Sequence, residues 1–379
     1  MSGSGRELRS IRVLRLRDSP WVDGPGRTIL ETAAHLDPAL IDYHLGILVP
    51  VSRTSHPMVV AAEARRLKHT VIDDRGGFDW SAIRQIRRLV EAESIDIVHA
   101  SDPRTNILSV LAFGLRGRPR LVATAHGWIA NNRRRRLLRT LDKFILRRFD
   151  RVIVVSHAMV SLLPRFWIPR SRLTVLHNAL PVTSYGNEVA RMPRTSGDGN
   201  CIRLLSVGRL SPEKGHEFLL RALAELSLES PLYDLTIAGI GPMEGFLRSL
   251  ARDLGIAERV HFAGYVADMP ALYASCDLVV QSSLTEGMPN VLLEASLLRT
   301  PVIATDVGGS AELIVHDATG TLIPAGSVTA IVDALRRFVA NRETFEVMAA
   351  RARERVLSEF SFQLRTRRLT EIYLRLVGP

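Results

Sequence analysis

The chain has 379 residues, 46% of them hydrophobic and 23% charged, which suits two or three soluble domains at the usual ~100–200 residues each. Tracts such as YHLGILVPV (43–51) fall short of the ~18 apolar residues a membrane span needs, and the N-terminal MSGSGRELRSIRVL lacks the apolar core of a signal peptide. Cys201 and Cys276 offer neither a disulfide framework nor a metal-ligand cluster, so a cytoplasmic location is expected. Residues 1–190 hold 30 Lys/Arg against 17 Asp/Glu, whereas residues 191–379 hold 20 against 22. The basic first half therefore suits an anionic partner, either nucleic acid or a membrane surface.

In chain order, the first half alternates β-rich runs with amphipathic ones. Strands are expected at IRVLRL (11–16), YHLGILVP (43–50), IDIVHA (95–100), RLVATA (120–125) and RVIVVS (151–156). Helical spacing marks TILETAAHL (28–36), WSAIRQIRRLVEAE (80–93) and RLLRTLDKFILRRF (136–149). The second half repeats the scheme with IRLLSVGRL, YDLTIAG, RVHFAGY, CDLVVQSS, PVIATD and GTLIP. Two such series predict two Rossmann-like α/β domains with doubly wound parallel sheets, over 1–181 and 201–359. The Gly-, Ser- and Pro-containing stretch 182–200 is the expected linker, and 360–379 carries a final helix.

The sharpest motif is TEGMPNVLLE (285–294), just after the strand CDLVVQSS. Pro289 suits the first turn of a helix, which leaves Glu286 and Gly287 in a loop at the carboxyl end of a strand, where open α/β sheets bind ligands. Free N–H groups of Asn290 and Val291 would face that cleft, and Glu294 lies one turn up the same helical face. Two carboxylates with backbone donors suit a polyhydroxylated ligand. The plain alternative is a capping turn with one solvated glutamate.

Other candidates are also strand-end loops. In VGRLSPEKG (207–215), Arg209 and Lys214 can neutralise a diphosphate without a metal, or form a solvated basic loop. GIGPMEG (239–245) has Glu244 where a dinucleotide fingerprint needs its third glycine, so turn chemistry is expected. In DGPGR (23–27), Gly24 and Gly26 would let a phosphate approach the backbone, or make a tight turn. ATAHGW (123–128) places His126 at a strand end, where it is catalytic or structural. The stretch 131–149 combines Leu137, Leu138, Leu141, Phe144, Ile145 and Leu146 with flanking arginines, as a membrane-surface helix or a core helix with a basic face. No aromatic platform, zinc spacing or helix-turn-helix accompanies the charge, which disfavours nucleic acid.

These motifs together resemble the retaining family 4 glycosyltransferases of GT-B fold. The matches run through HGW (126–128), VSHA (155–158), VLHNA (175–179), GRLSPEKG (208–215), FAGYVADM (262–269), EGMPNVLLE (286–294) and TDVGG (305–309). The resemblance implies that Arg209 and Lys214 hold a donor diphosphate and that Glu286 binds the transferred sugar. The backbone of Gly287, Met288, Asn290 and Val291 would hold sugar and phosphate, Glu294 the ribose, and His126 the donor sugar. It further implies no cofactor and no metal, a nucleotide-sugar donor and a glycan or lipid-linked acceptor. Two departures stand out: GPG replaces the frequent paired glycines at Gly26, and His177 and Ala179 flank Asn178 where Asn-Gly is usual. A nucleotide-sugar epimerase on the same fold, or a nucleic-acid-binding protein, are the competing expectations.

Overall fold

The computed structural model describes residues 9–76, 79–114, 117–126, 142–163, 168–181, 201–230 and 232–378. The chain divides into two units, one of Met1–Asn178 with Phe362–Pro379 and one of Ala179–Ser361. The predicted linker over 182–200 lies outside the described residues, as does most of the basic stretch 131–149.

The first unit carries seven parallel strands: β1 (Ile11–Arg17), β2 (Ile41–Pro50), β3 (His69–Asp74), β4 (Ile97–Ala100), β5 (Arg120–Ala125), β6 (Arg151–Val154) and β7 (Leu173–Val175). Their order is β3-β2-β1-β4-β5-β6-β7, so the winding reverses between β1 and β4. Residues at β1 register with both neighbours: Arg15 lies opposite Leu45 of β2 and His99 of β4. Between them run α1 (Gly24–His35), α2 (Pro57–Ala64), α3 (Trp80–Ala92), α4 (Pro103–Phe113) and α5 (His157–Ser161). Every residue of β4 is buried, the signature of a strand covered on both faces. The edge strand β3 escapes sequence patterning because HTVIDD buries only Ile72 and Asp74.

The predicted glycine loop at 23–27 is instead the first turn of α1. Asp23 caps it by accepting from the Gly26 N–H at 2.9 Å, and Pro25 stands where a missing donor costs nothing. Of the apolar residues grouped in the 131–149 stretch, Phe144 is exposed and Leu146 is buried.

The second unit has six parallel strands: β8 (Cys201–Val207), β9 (Leu232–Ala238), β10 (Val260–Gly264), β11 (Leu278–Gln281), β12 (Val302–Thr305) and β13 (Thr321–Ile323). Their order is β10-β9-β8-β11-β12-β13, reversing between β8 and β11. The helices are α6 (His216–Glu225), α7 (Glu244–Asp253), α8 (Met269–Ala274), α9 (Asn290–Leu297), α10 (Ser310–Leu313), α11 (Val328–Ala340) and α12 (Arg342–Glu359). Leu204, Leu235, Leu278 and Ile303 from the strands meet Leu219, Leu220, Ile331 and Leu335 from the helices in one apolar core. The last helix, α13 (Phe362–Val377), belongs to the first unit, where Leu369 and Tyr373 join the core around Val13, Ile29 and Tyr43.

Candidate active site

The candidate site of the second unit gathers at the carboxyl ends of β8 and β11, where its strand order reverses. Loop glycines bring the pieces together. Gly215, at φ 61°, has no room for a Cβ, which would stand 2.2 Å from the Ser282 carbonyl oxygen. Its neighbour Lys214 is anchored through its own carbonyl, which accepts from Ser282 Oγ, while the Leu284 N–H donates to the Glu213 carbonyl. Gly308, at φ 54°, passes so close to Glu286 that a Cβ would lie 1.9 Å from its carbonyl oxygen. The Gly309 N–H then donates to the Gly287 carbonyl at 2.9 Å. These contacts hold the loops after β8, β11 and β12 as one assembly.

Within it, Glu286 Oε1 accepts from Lys214 Nζ at 2.5 Å, Ser283 Oγ at 2.7 Å and Gln281 Nε2 at 3.3 Å. Thr305 Oγ1 donates to the Ser283 carbonyl, and Ser310 Oγ reaches Gln281 Oε1, so the donors are themselves held from β12 and α10. Gln281 and Ser283 were not singled out from the sequence. Their signal was a polar ending, QSS, on an otherwise apolar strand. A Cβ on Gly208 would stand 3.4–3.6 Å from the Lys214 stem, an ordinary van der Waals contact, so the stem lies alongside this glycine. Arg209 is exposed one residue further on.

Pro289 stands at the N-cap of α9 and offers its N–H groups no side-chain cap. Asn290 and Val291 are half-buried at this helix start, while Gly287 and Met288 are buried. Glu294 is also buried, and its Oε2 accepts from the Tyr273 hydroxyl at 2.8 Å. The sequence places it on the helical face toward the cleft, and in the structure it is 6% exposed with Tyr273 of α8 as its hydrogen-bond partner. Beneath the site, His216 bonds to Ser206 Oγ, and burial together with the Lys214 charge pushes its pKa down to about 4.

Gly26 and His126 belong to the first unit. The Gly26 N–H is engaged by Asp23, and a Cβ there would meet Met58 Sδ at 3.0 Å, so a side chain at this position would have to shift Met58. His126 is half-buried at the end of β5. Burial and the charges of Arg17, Arg15 and Arg365 hold its imidazole neutral, well below the usual histidine range. The Gly239 and Gly241 pair of GIGP serves backbone packing: a Cβ on either would collide with the carbonyl oxygen of Gly208 or Leu210.

Residues 22–183 match the model of Glycosyltransferase Family 4, and residues 194–355 that of Glycosyl transferases group 1. A Mycolicibacterium smegmatis GDP-mannose-dependent alpha-(1-6)-phosphatidylinositol monomannoside mannosyltransferase is 30% identical over 268 residues, 68% of this chain and 70% of that protein. The chain belongs to the family 4 glycosyltransferases. This glycosyltransferase is also similar to the Escherichia coli UDP-Gal:alpha-D-GlcNAc-diphosphoundecaprenol alpha-1,3-galactosyltransferase, at 24% identity across 79% of this chain and 80% of that one. Its fold matches Anabaena HepE, crystallised with UDP and glucose, at a TM-score of 0.82 and 20% identity over 96% of this chain and 99% of that one. The two doubly wound units of the glycosyltransferase are therefore those of the GT-B fold.

Proposed function

We propose that this glycosyltransferase is a retaining, metal-independent enzyme that moves a hexose from a nucleotide-diphosphate sugar to a glycan or lipid-linked acceptor in bacterial polysaccharide or glycoconjugate synthesis. The observation that carries this reading is the meeting of Lys214 and Glu286 at the strand-order reversal of the second sheet. A diphosphate at Lys214 and Arg209 would compete with Glu286 for the ammonium and leave the carboxylate to the sugar hydroxyls. Negative charge grows on the leaving diphosphate, and preorganised cations and the start of α9 stabilise it most in a closed, dry cleft. Glu286, held by Ser283 and Gln281, faces the positive charge developing on the sugar ring. The departing phosphate then takes the acceptor's proton during attack on the same face.

Relatives named for UDP-galactose and for GDP-mannose support a nucleotide-sugar donor in general. Thermal shifts with UDP-, GDP-, ADP- and TDP-sugars choose among bases, since a ligand at 100 times its dissociation constant stabilises by ~2.7 kcal/mol. No shift with any of them sinks the reading. Turnover that ignores added acceptors would instead mean an epimerase.

The acceptor side of the proposal includes docking on an anionic membrane through the 131–149 region. Among its described residues, the exposed Phe144 ring lies 5.5 Å from the Arg147 guanidinium, beside exposed Arg148. Each basic residue near an anionic leaflet contributes roughly 1 kcal/mol. Binding to phosphatidylglycerol vesicles that fades with salt supports this. A wild-type protein that stays in the supernatant at low salt rules it out.

A further inference from the structure

The first unit contains polar side chains where the interior of a parallel sheet is normally apolar. On the face of the sheet that α1 and α13 cover, Arg15 of β1 lies in register with His99 of β4, and Thr124 of β5 bonds to both. The next layer toward the carboxyl ends holds Arg17, which reaches the Ser101 carbonyl, and His126. From α13, Arg365 donates to Thr32 of α1, and the Tyr373 hydroxyl bonds to His99 Nδ1 at 2.6 Å.

The charges here do not balance. Arg15 is 3% exposed and Arg365 6%, and among the described residues neither has a carboxylate within ion-pair distance. Arg17, by contrast, pairs with Asp23 at 2.6 Å, and Arg104 with Asp74. An arginine cannot shed its proton at any ordinary pH, and a buried charge without a partner is costly. Both histidines are held neutral by burial and by the guanidiniums, so they do not offset the charge either. The Nε atoms of Arg15, Arg17 and Arg365 and the Nε2 of His126 are buried without a partner. Buried donors with no acceptor call for an ion or water. Two buried guanidiniums, each with an unpartnered Nε and both acting on the same neutral imidazole, suit an oxyanion.

We propose that Arg15, Arg365 and His126 form a binding site for a single phosphate group at the carboxyl end of the first sheet. Where the proposed transferase reaction holds, this phosphate is carried by the acceptor, and that assignment alone rests on the functional reading. The array selects a phosphate over a neutral sugar because only an anion relieves the uncompensated charge.

All four tryptophans, Trp21, Trp80, Trp128 and Trp167, fall within the first unit, so tryptophan fluorescence follows its unfolding without interference from the second. Millimolar inorganic phosphate, or glycerol 1-phosphate as a monoester, is compared with chloride at equal ionic strength. Either phosphate is expected to raise the fluorescence midpoint by roughly 5 °C at saturation. A shift with the monoester assigns the site to a substrate's phosphate, and a shift with inorganic phosphate alone assigns it to the free ion. Arg365→Met should abolish the phosphate increment without lowering the midpoint in chloride, because it removes a buried, unpaired charge. If that variant does not fold, Arg365→Lys, which lacks the planar fork, should show a reduced increment. Equal midpoints in phosphate and chloride for the wild-type chain, or a full increment in the folded Arg365 variant, overturn the site. Neither outcome bears on nucleotide-sugar binding, which is scored separately by the donor screen.

Discussion

Lys214 Nζ and Glu286 Oε1 meet across 72 residues of sequence, the first anchored after β8 and the second after β11. Ser283 and Gln281 converge on the same carboxylate oxygen, so Glu286 is oriented even when Lys214 is drawn elsewhere. Lys214→Ala should therefore leave the fold intact and lower turnover by on the order of 10²-fold, since a charge that matters most as the diphosphate leaves is lost. Steady-state kinetics on the purified variant, with circular dichroism as the check on folding, decides this. Full activity would remove the cationic clamp from the mechanism.

Glu294 and Tyr273 present a different balance. Both are buried and hydrogen-bonded, so Glu294→Ala leaves a phenol hydroxyl without this acceptor and should cost about 1–3 kcal/mol of stability. It should also weaken calorimetric binding of the bare nucleotide diphosphate, whereas Glu286→Ala should chiefly impair turnover. Tyr273→Phe separates the two effects. Stability should fall while nucleotide affinity holds. Should Tyr273→Phe lose as much affinity as Glu294→Ala, the carboxylate is structural and the ribose assignment fails.

Gly308 sets the position of Glu286. At φ 54° any side chain costs about 1–2 kcal/mol from backbone conformation alone, and its Cβ would also strike the Glu286 carbonyl. Gly326, at φ 71°, has nothing closer than Leu284 Cδ2 at 3.7 Å and serves as the control. Gly308→Ala should destabilise more than Gly326→Ala and should reduce kcat, which the control leaves near its original value. Indistinguishable melting and kinetics for the two variants would contradict the loop packing.

His216 gives the second unit a defined pH response. Its folded pKa of about 4 lies below the ordinary histidine value of 6.5, so the unfolded chain takes up the proton first as pH falls. The contribution is complete above pH 6.5 and is lost progressively toward pH 4, on the order of 3 kcal/mol for a fully buried ring. His216→Asn should flatten this loss in urea denaturation followed by far-UV circular dichroism between pH 7 and 4.5. A variant whose midpoint falls in parallel with the parent's would show that other groups carry the acid sensitivity. Asp18, raised to about 6 by burial and by Asp102, acts in the opposite direction in the first unit, which fluorescence monitors separately.

Much of this architecture was legible from local pattern. Short runs such as LVVQ and VIAT, alternating with helical spacing, marked the strands of the second sheet, and these two are buried at every position because a central parallel strand is covered on both faces. The motif loops announced themselves through glycine, proline and charge at strand ends. Local pattern says which face of an element is buried but not what it is buried against. The Lys214–Glu286 pair, the Tyr273 hydroxyl on Glu294 and the bond from Arg365 to Thr32 across 333 residues each depend on which elements become neighbours. Arginines 15 and 365 look like surface residues in the sequence, since a guanidinium is ordinarily solvated. Only the seating of α13 over β1 and α1, which follows from burying Leu369 and Tyr373, encloses both charges in the same interior.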